Sequence, residues 1–540
     1  MQNEASHITG NLGEEMTAPG PRISAISISQ NPILQTLNAA PTLFCLILLL
    51  VGLSLPAPAQ QAALDANVRF SPGLEPKTTF TTLVDFDGTD GDTPDAGLIQ
   101  GTDGNFYGVT NQSGEYGGGT IFQITPAGVL TTLYSFCALT NCTDGANQQA
   151  PLLLATDGNY YGTTTSGGKY GDGTVFKLEN GTWVLTTLYS FCKKSNCSDG
   201  SSPVAGLVQG TDGDLYGTTY SGGKYSGGTV FKITTKGTLT TVYSFCSTQT
   251  DGLCTDGGNP KGGVVQGANG DFYGTTVNGG VTNNRGTVFE VTSAGTLTQL
   301  WDFCQTDCSD GESPDSGLIL ATDGNFYGTT SLVGANDGGA IFQITPAGVL
   351  APIYGFCAEK NCTDGNQPVA SLIQGTDGNF YGSTLLGGKV ADDDGTIFKL
   401  KYQTSTSTYW KLTTEAEFDG TDGASPQGAL MQATNGTFYG TNSDGGTGGN
   451  IAGTVFSLSV GLGAFVETIP TSGKVKAAVT ILGTDLTGAT SVTFNGTAAT
   501  FDVVSSSKIT TTVPTGATTG TVEVKTPSGT LKSNVVFTVN

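Results

Sequence analysis

The sequence predicts an all-β protein, a seven-bladed β-propeller followed by an immunoglobulin-like β-sandwich. Three observations carry that expectation. The stretch 322–330, "TDGNFYGTT", recurs with its tyrosine at Tyr107, Tyr161, Tyr216, Tyr273, Tyr327, Tyr381 and Tyr439, an interval of 54 to 58 residues. Each interval holds four β-prone runs, as in "GLIL", "FYGTT", "GAIFQIT" and "VLAPIYGF", divided by "TDGN", a glycine-rich stretch and "PAG". Glycine reaches 81 of 540 residues, about twice the usual share of ~7%, which supplies the many tight turns. A period near 55 with four short-linked strands fits a propeller blade and is too long for one coil of a β-helix.

Taken in order, residues 1–59 read as a leader. The apolar run "LFCLILLLVGLSL" (43–55) is followed by Ala57-Pro58-Ala59, a signal-peptidase pattern with cleavage after about Ala59. Residues 60–77 form a linker and 78–462 the propeller. The outer-strand pattern ends in phenylalanine seven times, at Phe86, Phe136, Phe191, Phe245, Phe303, Phe356 and Phe418. Its first occurrence precedes the first set of inner strands, and the last inner set has no outer strand of its own. The strand leading to Phe86 therefore completes the seventh blade and leaves no open sheet edge. Residues 463–540 alternate in the manner of a small sandwich, with Val479 and Ile481 in one run and Val492 and Phe494 in another.

Two resemblances cover these segments. The copies of "GLIQGTDGNFYG" and "GTVFKIT" resemble the GloVer tandem repeat of "choice-of-anchor" exported bacterial proteins, and more distantly the blades of periplasmic sensor-kinase propellers. This resemblance implies a secreted or surface location with varied anchoring and no assigned chemistry. The run "TSGKVKAAVTILGTDLTGATSVTFNGTAA" with "ITTTVPTGATTGTVEVKTPSG" resembles an IPT/TIG domain, which implies an immunoglobulin-like module.

Composition narrows the function classes. A formal charge of −23 with no basic stripe argues against a nucleic-acid partner. No apolar segment after the leader is long enough to span a membrane in the mature chain. Ten cysteines fall into five close pairs: Cys137 with Cys142, Cys192 with Cys197, Cys246 with Cys254, Cys304 with Cys308, and Cys357 with Cys362. Three to seven residues separate the partners. The one histidine, His7, lies in the leader, and the spacings vary, so disulfides in an exported protein are expected rather than a zinc site. The same lack of histidine removes Ser-His-Asp and Cys-His arrangements, so no catalytic residue is nominated. A carboxylate pair of the glycosidase kind stays open, and a polysaccharide-active enzyme is the runner-up reading.

Each outer strand is followed by Asp-Gly, at Asp90, Asp144, Asp199, Asp256, Asp310, Asp364 and Asp422, with proline four residues on in all but the second copy, which has Gln148. Asx-type turns that start the next blade explain this better than a ring of ligands. "DFDGTDGD" (85–92) and "ADDDG" (391–395) offer oxygens of the kind calcium takes, without EF-hand spacing. No metal or other cofactor is expected, calcium being the one ion whose ligand types are present. The variable glycine-rich loops carry Tyr116, Lys169, Tyr170, Lys224, Tyr225, Arg285 and Lys389. Flat rings beside small residues and cationic donors suit a glycan or a cell-surface protein, and these seven are the candidate ligand-binding residues. The protein is expected outside the cytoplasm, secreted, at the cell surface or in the periplasm, as a binding or adhesion module.

Overall fold

A computed structural model describes residues 78–281, 284–389, 393–403, 409–447 and 452–540. The leader and linker lie outside these residues. Seven four-stranded antiparallel sheets follow one another, each built as the repeat predicts. In blade 1 the strands are Ile99–Gln100, Phe106–Thr110, Thr120–Ile124 and Leu130–Ser135. The second strand is buried throughout, which is why "FYGVT" and its copies lack the polar alternation of a half-exposed strand. The glycine in it has a packing cause: a Cβ at Gly162 would come within 2.5 Å of Phe176 Cζ. In every blade the outer strand bulges against the third, with the register shift between Ile121 and Phe122 in blade 1, and this kinks and twists the outer edge.

Ring closure is as the strand census predicts. Thr79–Asp85 pairs antiparallel with Thr454–Ser459, so the seventh sheet takes its outer strand from the N-terminal side. Three sets of contacts hold adjacent blades together. The terminal phenylalanine of each outer strand meets the third-strand phenylalanine of the next blade at 5.0–5.4 Å in all seven junctions, Phe86 on Phe122 and Phe418 on Phe456 included. Each such pair is worth about 1 kcal/mol beyond its buried area. Nearer the axis, the motif tyrosine lies against the next blade's first aromatic, as in Tyr216–Phe272 (3.9 Å) and Tyr439–Phe106 (4.1 Å). Inner-strand glutamines form the third set: Gln209, Gln266, Gln374, Gln432 and Gln100 each accept the amide of the preceding blade's turn threonine or its equivalent.

The C-terminal module packs two sheets around Val466, Val479, Ile481, Leu486, Val492, Phe494, Ile509, Val522, Val524 and Phe537. It touches the propeller at two neighbouring turns of the "TDGN" face. The Phe465 amide donates to the Thr434 carbonyl (2.9 Å), the Thr434 and Thr484 hydroxyls lie 2.9 Å apart, and Ser507 Oγ donates to the Thr102 carbonyl (2.9 Å). Thr434 belongs to blade 7 and Thr102 to blade 1, so the module straddles the seam where the ring closes. Ile469 adds an apolar contact to the cluster containing Tyr107, Tyr160 and Trp183.

Candidate functional site: the loop face of blades 1 to 3

The blade-to-blade junctions and the glycine-rich loops lie side by side on the face opposite the C-terminal module. Paired bridges such as Ala146↔Ser166 and Ser201↔Ser221 tie them together. The five expected cysteine pairs are disulfides, each closing one junction with Cα atoms 3.9–4.4 Å apart. Cys137 is bonded to Cys142 after blade 1, Cys192 to Cys197 after blade 2, and Cys246 to Cys254 after blade 3. Cys304 is bonded to Cys308 after blade 4, and Cys357 to Cys362 after blade 5. Every bond joins near neighbours within one junction, as the spacing predicts. In three of these loops the asparagine before the second cysteine has positive φ, Asn141 at 59°, Asn196 at 56° and Asn361 at 59°. The "NC" dipeptide thus meets a left-handed backbone requirement that asparagine tolerates well.

The junction aspartates bond nearby backbone amides, as expected, but these are amides upstream across the loop rather than the amide two residues on that defines an Asx turn, and they do more. Asp199 is buried and accepts the Lys193 and Lys194 amides (3.0 and 3.1 Å) together with the Tyr189 phenol (2.6 Å). Asp144, Asp256 and Asp364 hold Tyr134, Tyr243 and Tyr354 alike, and Asp310 takes the Trp301 indole. Burial, and then Asp256, push the Tyr243 phenol up to about 12. Sequence reasoning missed this partner, although the aromatic stands two residues before the terminal phenylalanine of the outer strand in the five cysteine-bearing copies alone, the other two having Val84 and Ala416 there. The two short junctions use a second aspartate instead: the Asp87 amide donates to Asp90 Oδ1, and the Asp419 amide to Asp422 Oδ1. Asp87 and Asp90 of "DFDGTDGD" are thereby drawn into a local turn, with Asp87 accepting Thr89, while Asp85 accepts Thr447 of the blade 7 loop.

Tyr116, Tyr170 and Tyr225 occupy equivalent loop positions of blades 1, 2 and 3 and are 49%, 41% and 40% exposed. Lys169 Nζ stands 5.5 Å from the Tyr170 ring centre and Lys224 Nζ 5.0 Å from that of Tyr225. Blade 1 has Glu115 in the lysine's place, and its hydrogen bond and charge push the Tyr116 phenol up. Arg285 and Lys389 lie elsewhere on the same face and are paired, Arg285 with Glu312 and Lys389 with Glu417 (2.9 Å). An open groove of ≈ 560 Å³ joins blades 2 and 3, lined by Lys194 and Ser198 on one side and by Lys224, Tyr225 and Tyr243 on the other. Its Lys194 was not among the sequence candidates, because nothing in the string shows that a junction lysine faces the next blade's loop. Near the start of the inner strands, Asp95 accepts Asn111 Nδ2 (2.8 Å), and burial pushes its carboxyl up to about 6.

The molecule is therefore a closed propeller with braced junctions and an appended immunoglobulin-like module, built for an oxidising compartment and so for export. The chain belongs to the Gloeobacter/Verrucomicrobia repeat family, whose model matches residues 69–254, 247–456 and 356–500, and an IPT/TIG domain model matches 465–539. No curated protein sequence matches the chain. Solved structures with a similar chain trace include a 6-phosphogluconolactonase candidate from Bacteroides uniformis, at 15% identity over 62% of this chain and 89% of the other, with a TM-score of 0.42. Another is an auxiliary nutrient binding protein from Bacteroides thetaiotaomicron, at 12% identity over 71% and 76% of the two chains, with a TM-score of 0.34. TolB from Acinetobacter baumannii matches at 10% identity over 59% and 62%, with a TM-score of 0.32. Among the described residues, no helix is long and apolar enough to cross a membrane.

Proposed function

We propose that the protein is a binding and adhesion module working in the extracellular space, at the cell surface or in the periplasm, and that the loop face of blades 1 to 3 holds a glycan or a cell-surface protein. Its working partition is a leader removed after about Ala59, a propeller over 78–462 and an IPT/TIG module over 463–540. The observation that carries the reading is the repetition of an exposed tyrosine at one loop position in three consecutive blades, with a lysine ammonium over two of the rings. A large apolar ring held at the surface by a rigid scaffold is a low-entropy contact for a sugar face or a partner side chain. The opposite face is engaged by the C-terminal module at blades 7 and 1, which favours the loop face as the free one.

The test is retention of the full-length protein on cell-wall preparations and immobilised glycans. Replacing Tyr170 and Tyr225 together by alanine is expected to lower retention at least tenfold while the melting temperature stays within about 2 °C, since exposed substitutions cost little stability. Unchanged retention, or an equal loss from Pro126→Ala with Pro346→Ala in the turns of the other face, rejects the loop face as the site.

A further inference from the structure

The groove between blades 2 and 3 says more about its ligand than the tyrosines alone. In a chain of formal charge −23, four lysines converge on it and on its neighbour: Lys194 and Lys224 line the groove, while Lys169 and Lys193 stand over Tyr170 and Tyr189 of blade 2. None of the four has a carboxylate partner among the described residues; Lys177, Lys232, Lys261, Arg285, Lys389 and Lys399 of the same propeller are paired, and Lys236, Lys360, Lys401 and Lys411, which are not, do not line the groove. The nearby acids form no ion pair with them among the described residues. Asp199 and Asp256 are buried and committed to Tyr189 and Tyr243, which leaves Asp172 beside the Cys192–Cys197 disulfide. Thr241, whose buried hydroxyl has no partner among the described residues, also lines the groove. Ammonium groups left unpaired next to flat rings, with hydroxyls between them, match a polymer that alternates anionic groups with pyranose faces.

We infer that the groove binds an acidic polysaccharide, its carboxylate or sulfate groups meeting Lys194 and Lys224 and its sugar faces resting on Tyr225; this rests on the loop face being the ligand-binding face. The equivalent positions of blade 2, Lys169, Tyr170, Lys193 and Tyr189, offer the next unit of a repeating polymer a second station. A nucleic acid presents anions too, and the net charge opposes every polyanion alike; a pyranose chain is the better match for isolated rings that each carry one lysine, and poly-dT is the arm of the test that separates the two.

The full-length protein is tested by affinity electrophoresis and biolayer interferometry against alginate, dextran sulfate, neutral dextran and single-stranded poly-dT, at 50 and 300 mM NaCl. Retention on alginate or dextran sulfate is expected, falling about tenfold between the two salt concentrations through screening. It should fall about tenfold again in Lys194→Gln with Lys224→Gln, each lost contact counting about threefold. Lys236→Gln with Lys360→Gln, which alters exposed lysines outside the groove, should change nothing. The inference is overturned if the groove pair binds like the wild type, if the control pair weakens binding equally, or if poly-dT is held as tightly as alginate. Tyrosine-dependent retention on neutral dextran with no effect of the lysines overturns the acidic ligand and leaves the loop-face reading standing. Retention on none of these glycans overturns it as well, and the loop-face reading is then decided separately by Tyr170→Ala with Tyr225→Ala on cell-wall material.

Discussion

Gln148 is the one departure from a seven-fold pattern, and its surroundings say what the departure costs. In the other copies the proline rests on the glycine before the preceding blade's third strand, with Pro203 Cδ 2.7 Å from an ideal Cβ at Gly173 and Pro260 Cδ 2.8 Å from one at Gly228. Gln148 fills the same slot beside Gly119 and is fully buried, and both ends of its amide lack a partner among the described residues. The preceding residue keeps the same left-handed backbone throughout, with Asn147 at φ 59°, Thr93 at 57° and Ser202 at 54°. Gln148→Pro removes a buried unsatisfied amide and restricts the unfolded chain, so it is expected to stabilise by about 1–2 kcal/mol, read as a higher urea midpoint at constant m-value. A lower midpoint would show that the amide has a role the contacts do not reveal. The sequence made the missing proline visible; the two orphaned polar atoms are a property of three-dimensional packing that no spacing encodes.

The braced junction is the element in which covalent and polar restraints can be weighed against each other. Closing so short a loop constrains the unfolded chain by about 2 kcal/mol in the entropic account, and Cys192→Ser with Cys197→Ser should cost about that much. Asp199→Ala strands two amides and a phenol that the carboxylate now satisfies, and it should cost about 3 kcal/mol or more. Urea denaturation of the two variants is expected to rank the aspartate above the disulfide; the reverse order would make the crosslink the principal restraint. The legible part of this element was its cysteine pairing and its Asp-Gly turn, because both are local. The aromatic partner and the groove lysine were not legible: Tyr243 reaches Asp256 across a hairpin, and Lys194 shares a groove with Lys224 only because blade 3 is placed beside blade 2. Likewise the seven strand sets could be counted from periodicity, while the five-membered glutamine belt could not, since each of its bonds spans a whole repeat or the ring closure.

At the scale of the whole molecule the ring is held shut at one seam from three sides: the strand pairing of Thr79–Asp85, the Phe86–Phe122 contact, and the C-terminal module bonded to Thr434 and Thr102. Deleting 60–87 strips the outer strand from blade 7 and should give aggregation or rapid proteolysis. Deleting 464–540 should leave a cooperatively folding ring that melts a few degrees lower, having lost three hydrogen bonds and the Ile469 contact. An N-terminal deletion that melts like the full chain would contradict closure by that strand. The same pairing also sets an order of events in time. Blades 1 to 6 are each completed by contacts within one repeat, but Thr79–Asp85 is made first and finds its partner only after about 370 further residues. Until then it is an unpaired edge, and an identical strand on a neighbouring chain fits the seventh blade equally well. Protein concentration during refolding therefore decides between a closed monomer and strand-exchanged oligomers.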